Sequence, residues 1–350
     1  MLEINEEIYE HLSSHMELDQ RDDLLKLIQK FDDMQIPAII TFDIFARTVN
    51  INKKSLAAMC YGAEKFYRTF KIPKRSGGMR QIDSPFPSLS LVQKWISNNI
   101  LEKLDIDNES ACAYIKEKSI KNHVEKHIDS AFILKIDLQD YYPTISTRDI
   151  IYTFSEIGYP VNISTSIAHI LSLNGGLPQG APSSPLLSNI ITLGLDVKIK
   201  EYCQKNNFLY SRYADDLAIS GENISEDNIL EIYRLISSEG FIVNTSKSKL
   251  YTPKQPVRHL TGLIINNGKI RIPKQTRKMV RQKLFYIRNY YLSDLESSSN
   301  HNLFSLHDPL LLERVLGYLN FWLWIEPDSE FATVSIQEIK SIKTKLLESI

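Results

Sequence analysis

Two periods of apolar spacing divide this 350-residue chain, and the switches between them mark its elements. Leu24, Leu25, Ile28 and Phe31 recur at helical spacing and predict an amphipathic helix within residues 1–35. A second helix is expected over 55–70, closing near Lys71-Ile72-Pro73. A third, over 88–103, would bury Leu91, Val92, Trp95, Ile96 and Leu101. Short apolar runs then take over. Residues 132–136 predict a buried strand, and Phe208-Leu209-Tyr210 with Leu217-Ala218-Ile219 predict the two arms of a hairpin. Before that hairpin, Leu187, Ile190, Ile191, Gly194 and Val197 predict a buried helical stripe, and residues 226–238 after it read as a surface helix. Residues 259–265 read as a strand with a glycine break. Helices return at 274–292, with Val280, Leu284, Ile287 and Tyr291 on one face, and at 309–324, with Leu312, Val315, Leu319 and Trp322. Trp322 and Trp324 are expected in the core, residues 293–302 as a polar mobile loop, and 330–350 as a terminal helix.

The tip of the predicted hairpin is Tyr213-Ala214-Asp215-Asp216. Adjacent carboxylates repel unless something neutralises them. A hard divalent cation such as Mg²⁺ does so with oxygen ligands. Asp-Asp pairs are common, and Asp22-Asp23 and Asp32-Asp33 read as solvated helix faces. The hairpin pair differs in its apolar flanks and in a third aspartate, Asp137, which closes the 132–136 strand. A strand-end aspartate beside a hairpin carrying two more suits two metal ions about 3.5–4 Å apart, clamping the attacking and leaving oxygens of a phosphoryl transfer.

Three stretches in order carry a family resemblance: LKIDLQDYYPTI around Asp137, Leu177-Pro178-Gln179-Gly180-Ala181-Pro182-Ser183-Ser184-Pro185, and Tyr213-Ala214-Asp215-Asp216. Together they resemble the palm motifs of reverse transcriptases, most closely the bacterial retron type, with group II intron enzymes as cousins. The resemblance covers about residues 50 to 325. It implies an α+β right-hand polymerase fold, with fingers, a palm made of a small antiparallel sheet with helices, and a helical thumb. The implied division is an acidic helical extension over 1–50, fingers over 51–125, palm over 126–257, and primer-grip strand, thumb and C-terminal helix over 258–350. The implied chemistry is RNA-templated DNA synthesis from dNTPs. Asp137, Asp215 and Asp216 would be catalytic, and with Leu138 they would hold two Mg²⁺ ions.

Other residues take roles beside these. Gly77-Gly78 permits a tight hairpin, with Lys74, Arg75 and Arg80 around its tip. Such cations suit a triphosphate. The resemblance assigns that role to Lys74 and Arg80 first, then to Lys71 and Arg75. Tyr142 matches an aromatic whose ring excludes a 2′-hydroxyl and so favours deoxynucleotides. The 175–185 loop is rigid, with serines near a helix start where caps are favoured, and the resemblance places Gln179 near the incoming nucleotide. The resemblance places Lys247 near the triphosphate, where it could act as a general acid toward pyrophosphate. Leu260, Thr261 and Gly262 match a primer grip. Lys274, Arg277, Lys278, Arg281 and Lys283 would track a nucleic-acid backbone. His127 is in register with the retron Asn-Ala-x-x-His pattern, but His123-Val124 replaces Asn-Ala, so both histidines are expected to be structural. Residues 105–116 lack the glycine and glutamate of a calcium loop.

Net charge is −1, which conceals a strong asymmetry. Residues 1–50 carry 11 acidic and 4 basic side chains, 51–80 carry 1 and 8, and 243–290 carry none and 12. Segregation of this kind fits a phosphate-binding groove. Cys60, Cys112 and Cys203 match no disulfide or zinc spacing and suit a reducing cytoplasm. The acidic start is neither signal nor basic targeting segment, and no run is long enough to span a membrane.

A retron enzyme would copy its own structured noncoding RNA from a 2′-hydroxyl primer, leaving an RNA–DNA product. Anti-phage defence, with a separate effector protein, would be the setting. Rival readings are a defence-associated enzyme primed by protein or working without a template, and a group II intron enzyme. The short stretch beyond the thumb leaves little room for an intron enzyme's further domains. A catalytically silent nucleic-acid scaffold has no use for three clustered aspartates, and Tyr142 disfavours an RNA-templated RNA polymerase.

Overall fold

The computed structural model describes residues 6, 8, 10, 12–13, 18–74, 77–104, 109–291 and 310–348. The chain separates into two units. Unit 1 comprises Met1–Ser119 and Leu134–Lys249, and unit 2 comprises Ile120–Ile133 and Leu250–Ile350.

In unit 1 a helix runs Leu18–Asp33 and buries Leu24, Ile28 and Phe31, while Leu25 turns outward. The helix expected over 55–70 is shorter. It runs Lys53–Tyr61 and stops at Gly62, whose N–H closes on the Ala58 carbonyl. Beyond it the aromatic-rich stretch pairs as a strand instead. This is β1 (Tyr67–Pro73), antiparallel to β2 (Met79–Pro85) through a turn with Gly77 and Gly78 at φ +86° and +80°. Helix Pro87–Asn99 buries Val92 and Ile96 as expected, but Leu91 faces out and Leu89 takes its place.

Strands β3 (Phe132–Asp137), β4 (Leu209–Tyr213), β5 (Asp216–Gly221) and β6 (Lys249–Tyr251) form one sheet in the order β4-β5-β3-β6. Along β5 every residue from Leu217 to Gly221 is buried, the mark of a strand covered on both faces. The helix expected before the hairpin is two helices, Ser184–Ile191 and Leu193–Lys205. They break at Thr192, whose hydroxyl donates to the Ser188 carbonyl. The break rotates the apolar stripe: Leu187, Leu195, Ile199 and Cys203 are buried, whereas Gly194 and Val197 are exposed. Ser183 occupies the N-cap position of the first helix without making a side-chain cap bond. Helix Glu226–Ser238 lies where its pattern put it, capped by the reciprocal Ser225–Asn228 pair.

Unit 2 contains an antiparallel sheet of β7 (Val257–Leu260), β8 (Leu263–Asn266) and β9 (Lys269–Arg271). The glycine expected as a break within one strand is instead a hairpin tip, with Thr261 and Gly262 at φ +46° and +82°. Helix Lys274–Tyr286 passes into a π turn over Ile287–Tyr291 and buries Val280, Leu284 and Ile287. Helix Leu311–Ile325 buries Leu312, Val315, Leu319 and Trp322, while Trp324 is 44% exposed rather than in the core. Helix Glu330–Glu348 follows. His123 and His127 are both fully buried with rings 5.8 Å apart, and burial holds His127 well below the usual histidine range. The three cysteines are buried, and none forms a disulfide. Among the described residues no helix is long and apolar enough to cross a membrane. Arg75, residues 105–108, the Tyr291 side chain and the expected 293–302 loop lie outside the described residues.

Candidate active site

The register of β4 on β5 pairs Tyr213 with Asp216, leaving Ala214 and Asp215 as a two-residue turn. Such hairpins need a positive φ at the first central position, and Ala214 supplies it at +56°. Asp137 ends the neighbouring strand, and its local backbone is fully engaged. The Asp137 N–H donates to Ser248 Oγ at 3.2 Å, its carbonyl accepts from Asn244 N–H at 2.8 Å, and the Leu138 N–H donates to the Asp215 carbonyl at 2.9 Å. The backbone just after Asp137 and the Asp215 turn are thus directly bonded.

Two lysines face the carboxylates. Lys247 Nζ lies 3.1 and 3.3 Å from the two Asp137 oxygens, and Lys135 Nζ lies 3.3 Å from Asp216. Burial and the charge of Asp216, with a smaller contribution from Asp137, push the Asp215 carboxyl up to about 6, while Lys247 acts against the rise. The site therefore holds more negative charge than its lysines balance. Among the described residues no group of three His, Cys, Asp or Glu is gathered in ion-holding geometry. The donor set nonetheless fits a hard divalent cation: it is all oxygen, anionic and left under-neutralised.

Behind the turn lies a residue that the motif reading passed over. Arg212 is completely buried, and its pair partner Asp196 is 4% exposed. Arg212 Nε and Nη2 donate to the two Asp196 oxygens at 2.8 and 2.5 Å. Nη1 donates to Asn189 Oδ1 and Tyr141 Oη, both at 3.0 Å, and to the Ala214 carbonyl at 3.3 Å. Tyr210 Oη donates to Asp196 as well, at 2.6 Å. Burial opposes the guanidinium's charge, but Asp196, Tyr141 and Tyr210 together outweigh it and hold Arg212 well above the usual range. This one side chain joins β4, the helix of Asp196, Tyr141 and the strained Ala214. A charged residue inside the apolar run 209–213, and an aspartate inside the stripe 193–199, were the signals available in the sequence.

Tyr142 follows Asp137 by five positions and is half-buried. Its ring meets Tyr141 edge-on at 5.3 Å, and its hydroxyl donates to Tyr114 Oη at 2.7 Å. The 175–180 loop braces this segment. A Cβ on Gly176 would come within 2.4 Å of the Pro143 carbonyl oxygen, and Leu177 N–H donates to the Ile145 carbonyl. The loop also anchors the β1–β2 hairpin. Asp83 N–H donates to the Gln179 carbonyl at 2.9 Å, and Gly180, at φ +135°, leaves only 2.8 Å between a would-be Cβ and the Asp83 carbonyl oxygen. Lys74 and Arg80 are exposed near the tip of that hairpin, as are Lys71 and Met79.

In unit 2, Leu260 is buried at the base of the hairpin whose tip is Thr261-Gly262. The five cations of the basic helix do not behave alike. Lys274, Lys278 and Arg281 are exposed and Lys283 is half-buried. Arg277 is turned inward: with Arg271 and the Ile272 N–H it holds the Glu326 carboxylate at 2.8–3.1 Å, and it lies 5.5 Å over the Trp322 ring.

Residues 72–265 match the family model for reverse transcriptase (RNA-dependent DNA polymerase). The retron Ec86 reverse transcriptase of Escherichia coli is 32% identical over 259 residues, covering 73% of this chain and 80% of that one. The retron Ec83 reverse transcriptase of the same species is 29% identical, covering 71% and 85%. Among solved structures, telomerase from Candida albicans aligns with a TM-score of 0.46 at 14% identity, over 81% of this chain and 62% of that one. The chain belongs to the reverse transcriptase family: it is an RNA-directed DNA polymerase on an α+β right-hand polymerase fold, and its curated relatives are retron reverse transcriptases.

Proposed function

We propose that this polymerase copies one cognate structured noncoding RNA into single-stranded DNA, primed from a 2′-hydroxyl of that RNA. The setting is anti-phage defence in the bacterial cytoplasm, with a separate effector protein as partner. Supporting the polymerase site is the bonding of Leu138 N–H to the Asp215 carbonyl, which ties the Asp137 strand to the Asp215-Asp216 hairpin. Supporting the retron assignment are the retron relatives, whose similarity extends over most of the chain.

In this reading Asp137, Asp215, Asp216 and the Leu138 backbone hold two Mg²⁺ ions. Ions bound there would supply charge neutralisation for nucleotidyl transfer. The chain's own groups do the rest. Lys74 and Arg80 bind triphosphate oxygens from the hairpin tip. Gln179 seats the nucleotide on the loop that anchors that hairpin, and the Tyr142 ring occupies the space of a 2′-hydroxyl. Lys247, held beside Asp137, serves as proton donor to the leaving pyrophosphate. Leu260, Thr261 and Gly262 hold the primer end. Lys274, Lys278, Arg281 and Lys283 follow the duplex backbone, and Arg277 fixes the helix that carries them. The corresponding division is fingers over 51–125, palm over 126–257 and thumb from 258 onward, with an acidic extension before them.

The test is to purify the protein from its native host and sequence the nucleic acid that accompanies it, before and after RNase and debranching treatment. A short DNA joined to one abundant structured RNA is the expected result. DNA attached to protein, or RNA with no DNA, overturns the retron assignment and leaves the polymerase fold standing.

A further inference from the structure

Packing alone does not hold Tyr142. Its hydroxyl donates to that of Tyr114 at 2.7 Å, a residue 28 positions earlier in the chain. Tyr114 sits at φ +61°, in the left-handed region. An aromatic residue persists there only where its surroundings over-determine it. Those surroundings are the frame already described around Arg212. Arg212 N–H donates to the Ser110 carbonyl at 2.8 Å, and Cys112 N–H donates to the Arg212 carbonyl at 2.7 Å. The buried Asn189 amide donates to the Ala113 carbonyl at 2.7 Å, while its oxygen accepts from the Arg212 guanidinium. That guanidinium also holds the carbonyl preceding Asp215. Tyr114 is thus mounted on the same rigid node as the aspartate turn. Burial pushes its phenol up, against the bond from Tyr142, and Asp215 adds a smaller part of the rise.

We propose that Tyr114 is the positioning residue of the sugar gate: its hydroxyl locks the Tyr142 ring in the orientation that leaves no room for a 2′-hydroxyl on the incoming nucleotide. The inference rests on reading Tyr142 as that gate. A tyrosine ring anchored only at Cβ can swing aside, and an incoming ribonucleotide gains space when it does. The bond to Tyr114 opposes the swing at the far end of the ring, where leverage is greatest. Losing one neutral hydrogen bond should cost about 3- to 10-fold in discrimination, on the scale such bonds contribute.

Single-nucleotide incorporation on a primed RNA template tests this, with kcat/KM measured for dCTP and for CTP. The comparison includes wild type, Tyr114→Phe, Tyr142→Phe, the double Phe variant and Tyr142→Val. The deoxy-to-ribo ratio should fall about 3- to 10-fold in Tyr114→Phe and by a similar factor in Tyr142→Phe. The double variant should fall no further than either, because both remove the same bond. Tyr142→Phe deletes that bond from its other end, so the effect stays readable if Tyr114→Phe folds poorly. A ratio within twofold of wild type in both single Phe variants, with Tyr142→Val strongly relaxed, overturns the role of Tyr114 and leaves the gate in place. An unchanged ratio in Tyr142→Val overturns the gate, and this inference with it. A merely structural Tyr114 would lower both kcat/KM values together and leave their ratio alone.

Discussion

Arg212→Met removes the charged end of the buried node while roughly keeping its apolar bulk. Asp196, 4% exposed, would then carry its charge with only the Tyr210 hydroxyl of the bonds described here. The Tyr141 hydroxyl and Asn189 oxygen each lose a donor as well. Breaking a buried pair from one side typically costs about 3–5 kcal/mol, whereas replacing both partners by apolar groups is often close to neutral. We therefore expect Arg212→Met to destabilise unit 1 by about 4 kcal/mol. Arg212→Met combined with Asp196→Leu should cost less than either single change, although Tyr210 then loses its acceptor. Urea unfolding followed by far-UV circular dichroism gives the magnitudes, and hydrogen exchange on β4 and β5 assigns the transition to unit 1. Single-variant costs below about 1 kcal/mol, or simple additivity in the double variant, would refute the claim that the pair carries the turn.

Three further outcomes are expected. Asp215 has a folded pKa of about 6 against an unbound value of 3.8, so the folded state keeps a proton that the unfolded chain has released. Metal-free wild type should therefore lose about 2 kcal/mol of stability from this group as pH rises from 4 to 6, and that part of the slope should be absent in Asp215→Asn. Equal pH slopes in melts with a chelator would contradict this. Gly180→Ala forces a Cβ to 2.8 Å from the Asp83 carbonyl at a φ of +135°, so it should break the Asp83–Gln179 bond and raise KM for dNTPs several-fold. An unchanged KM would remove the link between hairpin and loop. Glu326→Gln weakens a carboxylate held by two arginines and a backbone N–H, and should cost unit 2 about 2 kcal/mol, read as an earlier urea midpoint.

The parts of the fold that sequence made legible are those with one dominant period or a local turn signal. The 132–136 strand and the 226–238 helix lie where their patterns put them. The aspartate hairpin was readable because apolar runs flank a polar tip. Where the reading failed, a local interaction overrode the period. Thr192 satisfies its hydroxyl on the preceding helix and splits one predicted helix into two, which moves Val197 from core to surface. Gly62 ends a helix whose apolar spacing ran on, and Gly262 folds a strand back on itself. In the candidate site, Asp137, Asp215 and Asp216 were conspicuous in the sequence as carboxylates amid apolar residues. Arg212, Asp196 and Lys135 were not, because their meaning lies in partners distant along the chain. The same holds for Tyr114, whose only local mark, a left-handed backbone, is invisible in a sequence.

The most direct test of the catalytic assignment is extension of a labelled primer on an RNA template, with RNA retention measured in parallel on the same preparations. Wild type should make DNA complementary to the template. Asp215→Ala and Asp216→Ala should make none while retaining RNA like wild type. Template-directed DNA synthesis at the wild-type rate by either variant would contradict the assignment of the active site.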